Sequence, residues 1–189
     1  MQPAAPDADL FAMLGLPRRL AIDAEDLERR YHAASRAVHP DRFQTADPRE
    51  RGLSLAASAA VNRAYRTLRD PAALGRYWLE LHGTPLGENN NQVPPTLAAE
   101  VFAVQEKLEE LRAAPDDAAV RAEVRVLRDE LAERLEAMNA RLLEGAERAT
   151  TDALAALKHR LSEAAYLRTL LGDVDATLAE ETRGTHHRH

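Results

Sequence analysis

Leu27-Glu28-Arg29-Arg30-Tyr31-His32-Ala33-Ala34-Ser35-Arg36-Ala37-Val38-His39-Pro40-Asp41-Arg42 contains a helix, its termination and a polar corner in one run. Leu27, Tyr31, Ala34 and Val38 recur at helical steps and lay one apolar stripe against a neighbour, leaving Arg29, Arg30 and Arg36 on a basic face. Such a face either keeps the helix soluble or docks on an acidic partner. The start is marked by Asp23 as N-cap, with Asp26 at the third helical position and Ile22 and Leu27 spaced as a hydrophobic staple. The end is set by Pro40, which lacks an N–H, clashes with the preceding turn and pushes His39 out of the α region. His39, Pro40 and Asp41 are therefore expected at an exposed bend. An imidazole and a carboxylate on either side of a rigid ring form a pre-organised tip that loses little entropy on docking. Taken alone, Pro40 only ends a helix; the flanking elements give the tripeptide its meaning.

Working outward, Arg49 to Leu68 reads as a second helix, with Leu53, Ala56, Ala60, Ala64 and Leu68 available to pack on the first. Asp70 and Pro71 restart the chain as N-cap and first helical residue. Leu74, Tyr77, Trp78 and Leu81 then form a stripe, and Gly83 closes it. A short element, Leu10 to Leu14, precedes the pair, and Tyr65, Tyr77 and Trp78 are read as core. Beyond residue 83, three seams follow. They are Leu97, Val101, Val104, Leu108, Leu111; then Val120, Val124, Leu127, Leu131, Leu135, Met138, Leu142; then Leu154, Leu157, Leu161, Ala164, Leu167, Leu171, Val174, Leu178. Breaks at Ala114-Pro115-Asp116 and around Ala149 to Thr151 allow tight reversals and an up-down-up bundle. Gly172, inside the third seam, predicts a kink or an early end.

The run Val61-Asn62-Arg63-Ala64-Tyr65-Arg66-Thr67-Leu68-Arg69-Asp70-Pro71, with Arg76-Tyr77-Trp78-Leu79-Glu80-Leu81-His82-Gly83, resembles the J-domain of the HscB family, co-chaperones of iron–sulfur cluster biogenesis. General J-proteins share the alanine, tyrosine and Asp-Pro; the Tyr-Trp-Leu-x-Leu-His-Gly ending looks like HscB in particular. No Gly/Phe-rich stretch or cysteine-rich module follows. The resemblance implies an all-α fold. In it, residues 1–83 form a J-domain, an antiparallel helical hairpin with flanking helices. Residues 84–95 form a linker, and residues 96–189 a C-terminal three-helix scaffold-binding domain.

It also implies partners. The basic helix and corner (Arg29, Arg30, Arg36, His39, Pro40, Asp41, Arg42) would bind an HscA/DnaK-type ATPase chaperone and stimulate its hydrolysis. The bundle would bind an IscU-type scaffold through Leu97, Phe102, Glu106, Glu110 and Tyr166. Ala98, Ala99 and Ala103 depart from the larger or acidic side chains usual in the family. Read from its own pattern, Phe102 is off the seam on a row with Ala98, Glu106 and Glu110. Its ring is either a rim residue covered by the connector or a neighbouring helix, or an anchor among carboxylates.

Composition bounds the alternatives. A 189-residue chain buries roughly 70% of the surface its unfolded form exposes, enough for a core without cross-links. It has no cysteine, so it holds no zinc–thiolate site, thiol nucleophile or cysteine-ligated cluster of its own. Residues 1–83 carry a net +1 and residues 84–189 a net −7, and the overall −6 opposes nucleic acid. No apolar run approaches ~20 residues and Met1 to Leu10 is acidic, so a cytoplasmic protein off the membrane is expected. No nucleophile elbow, phosphate loop or ligand set assembles; catalytic residues, metal ligands and cofactors are expected to be none. His186-His187-Arg188-His189 offers imidazoles that could loosely hold a divalent metal, but without acidic or sulfur partners it reads as a disordered tail. The competing function is a helical adaptor or a J-protein for a different client, with no part in cluster biogenesis.

Overall fold

The computed structural model describes residues 9–87 and 94–185, with side chains through 179. The middle of the expected linker and the histidine tail lie outside the described residues. Seven α-helices make up the described fold, with no strand among those residues: α1 Leu10–Met13, α2 Ala24–Val38, α3 Pro48–Arg69, α4 Pro71–Leu81, α5 Ala98–Ala113, α6 Ala118–Ala140 and α7 Thr151–Thr185. Short 3-10 turns occupy Pro40–Phe43, Pro95–Leu97 and Ala146–Arg148. No described helix is long and apolar enough to cross a membrane. The chain divides into two compact units: residues 1–85 with 145–153, and residues 86–144 with 154–189.

In the first unit the helix ends follow their capping chemistry. Asp23, Asp47 and Asp70 each accept an amide hydrogen bond in the first turn of α2, α3 and α4, at 2.7, 2.8 and 2.6 Å. Gly83 takes φ +67°, its amide donates to the Glu80 carbonyl at 3.0 Å and that of Thr84 to the Leu79 carbonyl at 2.9 Å. This is the Schellman closure that a left-handed residue permits. α2 packs on α3 through Leu27, the stacked Tyr31 and Tyr65 rings (centroids 4.1 Å apart), and a Tyr31 hydroxyl that donates to Asn62 Oδ1 at 2.9 Å. Phe11, Val61, Ala64, Leu68, Leu74, Trp78 and Leu79 complete the core. The Trp78 indole N–H donates to the Ala146 carbonyl at 3.1 Å, and the Leu20 amide to Glu147 at 2.7 Å.

The inward face of α3 differs from the expected one. Ser54 is wholly buried and Ala57, Val61, Ala64 and Leu68 follow it, whereas Ala56 is exposed and Leu55 is 60% exposed. Alanine supplies no contrast between the two faces; from the inward one Ser54 and Ser58 both donate to the Val38 carbonyl, at 2.8 and 3.0 Å.

Asp9 anchors α1. Its carboxylate caps the Phe11 amide at 3.0 Å and accepts from Arg18 Nε at 2.7 Å and the Tyr77 hydroxyl at 3.2 Å; the same hydroxyl accepts the Leu10 amide at 3.0 Å. Burial pushes the Asp9 carboxyl up, but the Arg18 contact, with the Phe11 amide, outweighs it and holds the group below its ordinary 3.8. Burial pushes the Tyr77 phenol above 10.0. A lowered carboxyl pKa stabilises the fold above its unfolded value and fades as pH falls through the folded one. A raised phenol pKa stabilises below its unfolded value and fades as pH rises through the folded one. The cluster therefore contributes fully between about pH 4 and 10. Asp9→Ala should cost about 1 kcal/mol at neutral pH. Urea midpoints should show the gap to wild type steady from pH 5 to 9 and closing below 3.8; a gap that persists at pH 2.5 would refute the assignment.

In the second unit α5 and α6 are antiparallel. Lys107 bridges Glu110 at 2.7 Å and Glu123 at 2.9 Å, contacts that raise its pKa, and Arg134 pairs with Glu100. α7 runs parallel to α5: Thr96 reaches Glu163, and Arg112 donates to the Thr177 hydroxyl at 3.3 Å. It runs antiparallel to α6, with Arg160 on the Glu144 carbonyl at 2.7 Å and Arg128 on Asp175 at 3.0 Å. Val104, Leu108, Leu111, Val124, Leu131, Leu157 and Leu167 are at most 1% exposed and form the core.

Two expectations for α7 need correction. The helix runs through Gly172 without a break, because burying Leu170 and Val174 at about 1.5–3 kcal/mol each outweighs the ~1 kcal/mol propensity cost of an exposed glycine. After Leu167 the buried positions are Leu170, Val174 and Thr177, with Leu171 and Leu178 only half-buried. From Leu161 through Ala164 and Leu167 to Leu170 each step is three residues, about 60° short of a turn, so the buried stripe winds around the helix. Thr177 is tolerated there because its hydroxyl donates to the Asp173 carbonyl at 2.9 Å while receiving Arg112. The α6–α7 connection is also looser than a tight reversal. α6 stops at Ala140, and Gly145 and Ala149 both take positive φ in the ten residues that follow.

Candidate functional site

The corner between α2 and α3 is built as proline requires. His39 has φ −62° and ψ 130°, an extended conformation, and Pro40 opens the 3-10 turn Pro40–Phe43. The Asp41 amide donates to His39 Nδ1 at 3.3 Å, and Asp41 Oδ2 lies 3.4 Å from the same nitrogen. A ring nitrogen that accepts an amide proton leaves Nε2 as the imidazole's donor. The side chains are 52% and 73% exposed, so imidazole and carboxylate both face solvent as one polar tip. Beside them Pro40, Asp41, Gln44, Arg51 and the exposed Leu55 line a shallow depression of about 230 Å³.

The basic residues are not equivalent. Arg29 is 71% exposed and pairs with Asp26, a surface pair that contributes little to stability. Arg36 is exposed, and Arg42 reaches back to the Arg36 carbonyl at 3.4 Å. Arg30 departs from the expected solvent-facing position. Its Nε bonds Asp26 at 2.8 Å and its NH1 bonds the Gly15 carbonyl at 2.6 Å, closing the loop after α1. Gly15 has φ +64° and a Cβ there would sit 3.2 Å from that NH1, so the close approach depends on glycine.

Two corner residues escape a sequence reading. Ser54 and Ser58 of α3 both donate to the Val38 carbonyl, at 2.8 and 3.0 Å. Their i, i+4 spacing on a helix that must pack nearby was the available signal, but two serines in an alanine-rich stretch look like surface.

On α5, Phe102 is 73% exposed, so its ring is not covered by the connector or a neighbouring helix among the described residues. Ala98, Ala99, Ala103, Glu106 and Glu110 are exposed around it; Glu110 is paired with Lys107 and Glu106 stands one turn from the ring. Tyr166 is half-buried on α7, between Glu163, which receives Thr96 in the turn before α5, and Thr177, which receives Arg112 at the end of α5. Leu97 is a correction. It is 0% exposed in the 3-10 turn leading into α5, because the seam that starts there pulls it into the bundle, and it cannot touch a partner.

No protein-family model matches the chain. A co-chaperone HscB homologue of Bordetella petrii is 44% identical over 117 residues, 61% of this chain and 67% of that protein. One of Paraburkholderia phymatum is 32% identical over 166 residues, 87% and 95% of the two chains. Among solved structures, HscB from Vibrio cholerae matches with TM-score 0.71 and 26% identity over 89% of this chain and 96% of that one. The human co-chaperone HscB matches with TM-score 0.74 and 25% identity over 93% and 85%. An all-helical chain with an exposed His-Pro-Asp corner in its first unit and a three-helix bundle in its second, similar to these relatives across most of its length, belongs to the HscB co-chaperone family.

Proposed function

We propose that the chain docks an IscU-type scaffold on its bundle and presents it to an HscA/DnaK-type chaperone, whose ATPase it stimulates through the corner, in support of iron–sulfur cluster assembly or transfer. The observation that carries the reading is the exposed His39-Pro40-Asp41 tip, with the Asp41 amide on His39 Nδ1, at the end of a helix that shows Arg29 and Arg36 to solvent. Asp41 offers a charge-assisted acceptor to a basic group on the chaperone, His39 orients it and Pro40 keeps the bend. Arg29, Arg36 and Arg42 speed encounter with an acidic surface, while Arg30 acts by keeping α1 and α2 in place. The depression beside Leu55 adds room for an aliphatic contact. The proposed scaffold face has Phe102 as anchor, with Glu106 and Glu110 further along α5 and Tyr166 on α7. Catalysis stays with the chaperone; this chain acts by binding its hydrolysis-competent arrangement more tightly than the resting one.

A steady-state assay with a DnaK-type ATPase, with and without an IscU-type scaffold, tests the reading. The wild-type protein should accelerate hydrolysis, more so with scaffold. Half-saturation should rise severalfold between 50 and about 300 mM salt, because exposed charges are screened beyond roughly a Debye length. An ATPase indifferent to the protein under all these conditions would favour the helical adaptor.

A further inference from the structure

We propose that Ser54 and Ser58 are positioning residues that hold the corner in its docking-competent form by capping the carbonyl of Val38; the functional part of this inference rests on the chaperone-docking reading above. The last carbonyls of a helix have no partner in the next turn and must find one elsewhere. At the end of α2 the following amides are already committed. Pro40 has none, that of Asp41 goes to His39 Nδ1, and that of Arg42 goes to the His39 carbonyl at 3.0 Å. The Val38 oxygen therefore has two lone pairs to satisfy in a half-buried place. Ser54 and Ser58, one turn apart on α3, fill both at 2.8 and 3.0 Å.

That carbonyl belongs to the Val38–His39 peptide, so fixing its direction fixes the plane from which the His39 ring departs. The two bonds also cross the hairpin, joining residues 16 and 20 apart in sequence at the base of the tip. Ser54 is fully buried, and its hydroxyl has no other reason to stand in an apolar seam. With both hydroxyls present, little remains for the chaperone to order. Without them the tip spends part of its time in other orientations, and apparent affinity falls by the fraction lost.

The test compares the full chain with a Ser54→Ala/Ser58→Ala double variant, and Ser58→Thr with Ser58→Val, near-isosteres that keep or delete the hydroxyl. Two quantities are read: the half-saturating concentration against the plateau of chaperone ATPase stimulation, and amide hydrogen exchange at Asp41 and Arg42 in the protein alone. In the double variant, half-saturation should rise about fivefold at an unchanged plateau, and exchange at Asp41 and Arg42 should quicken by a similar factor while Val61 and Leu68 keep wild-type protection. Ser58→Thr should behave as wild type and Ser58→Val should shift both readouts about twofold. Should the double variant lose helicity, the Ser58 pair decides alone. Unchanged exchange at Asp41 and Arg42 overturns the capping role, and faster exchange with unchanged half-saturation overturns the positioning role. If the wild-type protein stimulates no ATPase, the docking reading fails while the exchange data still decide whether the serines hold the corner.

Discussion

His39→Gln and Asp41→Asn should each reduce stimulation of a DnaK-type ATPase about tenfold to hundredfold, with the fold untouched. Both side chains stand in solvent, so neither substitution opens a cavity or buries an unpaired group. Asn at 41 keeps the size of the side chain and loses only the charge, and a hydrogen bond to a charged group is worth about 1.5–3 kcal/mol. Gln at 39 lacks the rigid ring nitrogen that receives the Asp41 amide at 3.3 Å, so the carboxylate is no longer held against the bend. Single-turnover hydrolysis checks the activity, and far-UV circular dichroism with a thermal midpoint checks the fold. Two variants that stimulate like wild type would remove the corner from the mechanism. The effect should exceed that of the serines, because in the proposed docking the serines would orient the contact and His39 and Asp41 would make it.

Phe102→Ala should weaken binding of an IscU-type scaffold by about 2 kcal/mol, roughly thirtyfold in Kd, while the bundle melts as before. A ring that is 73% exposed gives the free protein little stability, so its truncation removes nothing from the core of Val104, Leu108 and Leu111. Exposed Ala98, Ala99 and Ala103 leave the ring standing above a low surface, accessible to a partner's pocket, with the Glu106 carboxylate nearby. Glu110 should matter less: Lys107 already neutralises it at 2.7 Å, and Glu110→Gln should change affinity by under about threefold. Calorimetric titration with the scaffold measures both, and an unaltered Phe102→Ala affinity would reassign the ring to the bundle's surface.

Much of the architecture is legible in residues that act within one turn of themselves. Asp23 and Asp70 cap where a short carboxylate meets a free amide, Pro40 ends a helix because it has no N–H, and Gly83 reverses one because glycine takes φ +67° without strain. Leucine seams are legible where the opposite face is charged, as for Val104, Leu108 and Leu111 of α5. The alanine-rich α3 is not, since Ala56 and Ala60 carry no contrast with Ala57 and Ala64, and a 60% exposed Leu55 beside a buried Ser54 inverts the usual expectation.

The sequence by itself determined an all-helical chain, the caps at Asp23, Asp70 and Gly83, and a corner that puts an imidazole and a carboxylate on either side of a proline, because these depend on forces between near neighbours. Only the tertiary structure decided that Arg30 closes the α1 loop, that Leu97 lies inside the bundle, that α7 passes through Gly172, and that two serines hold the Val38 carbonyl. It also decided that residues 145–153 join the first unit, where Ala146 receives the Trp78 indole N–H. Each of these turns on which distant group arrives within hydrogen-bond or van der Waals reach, and helical periodicity fixes the rotation of a side chain around its own axis but not the neighbour it meets.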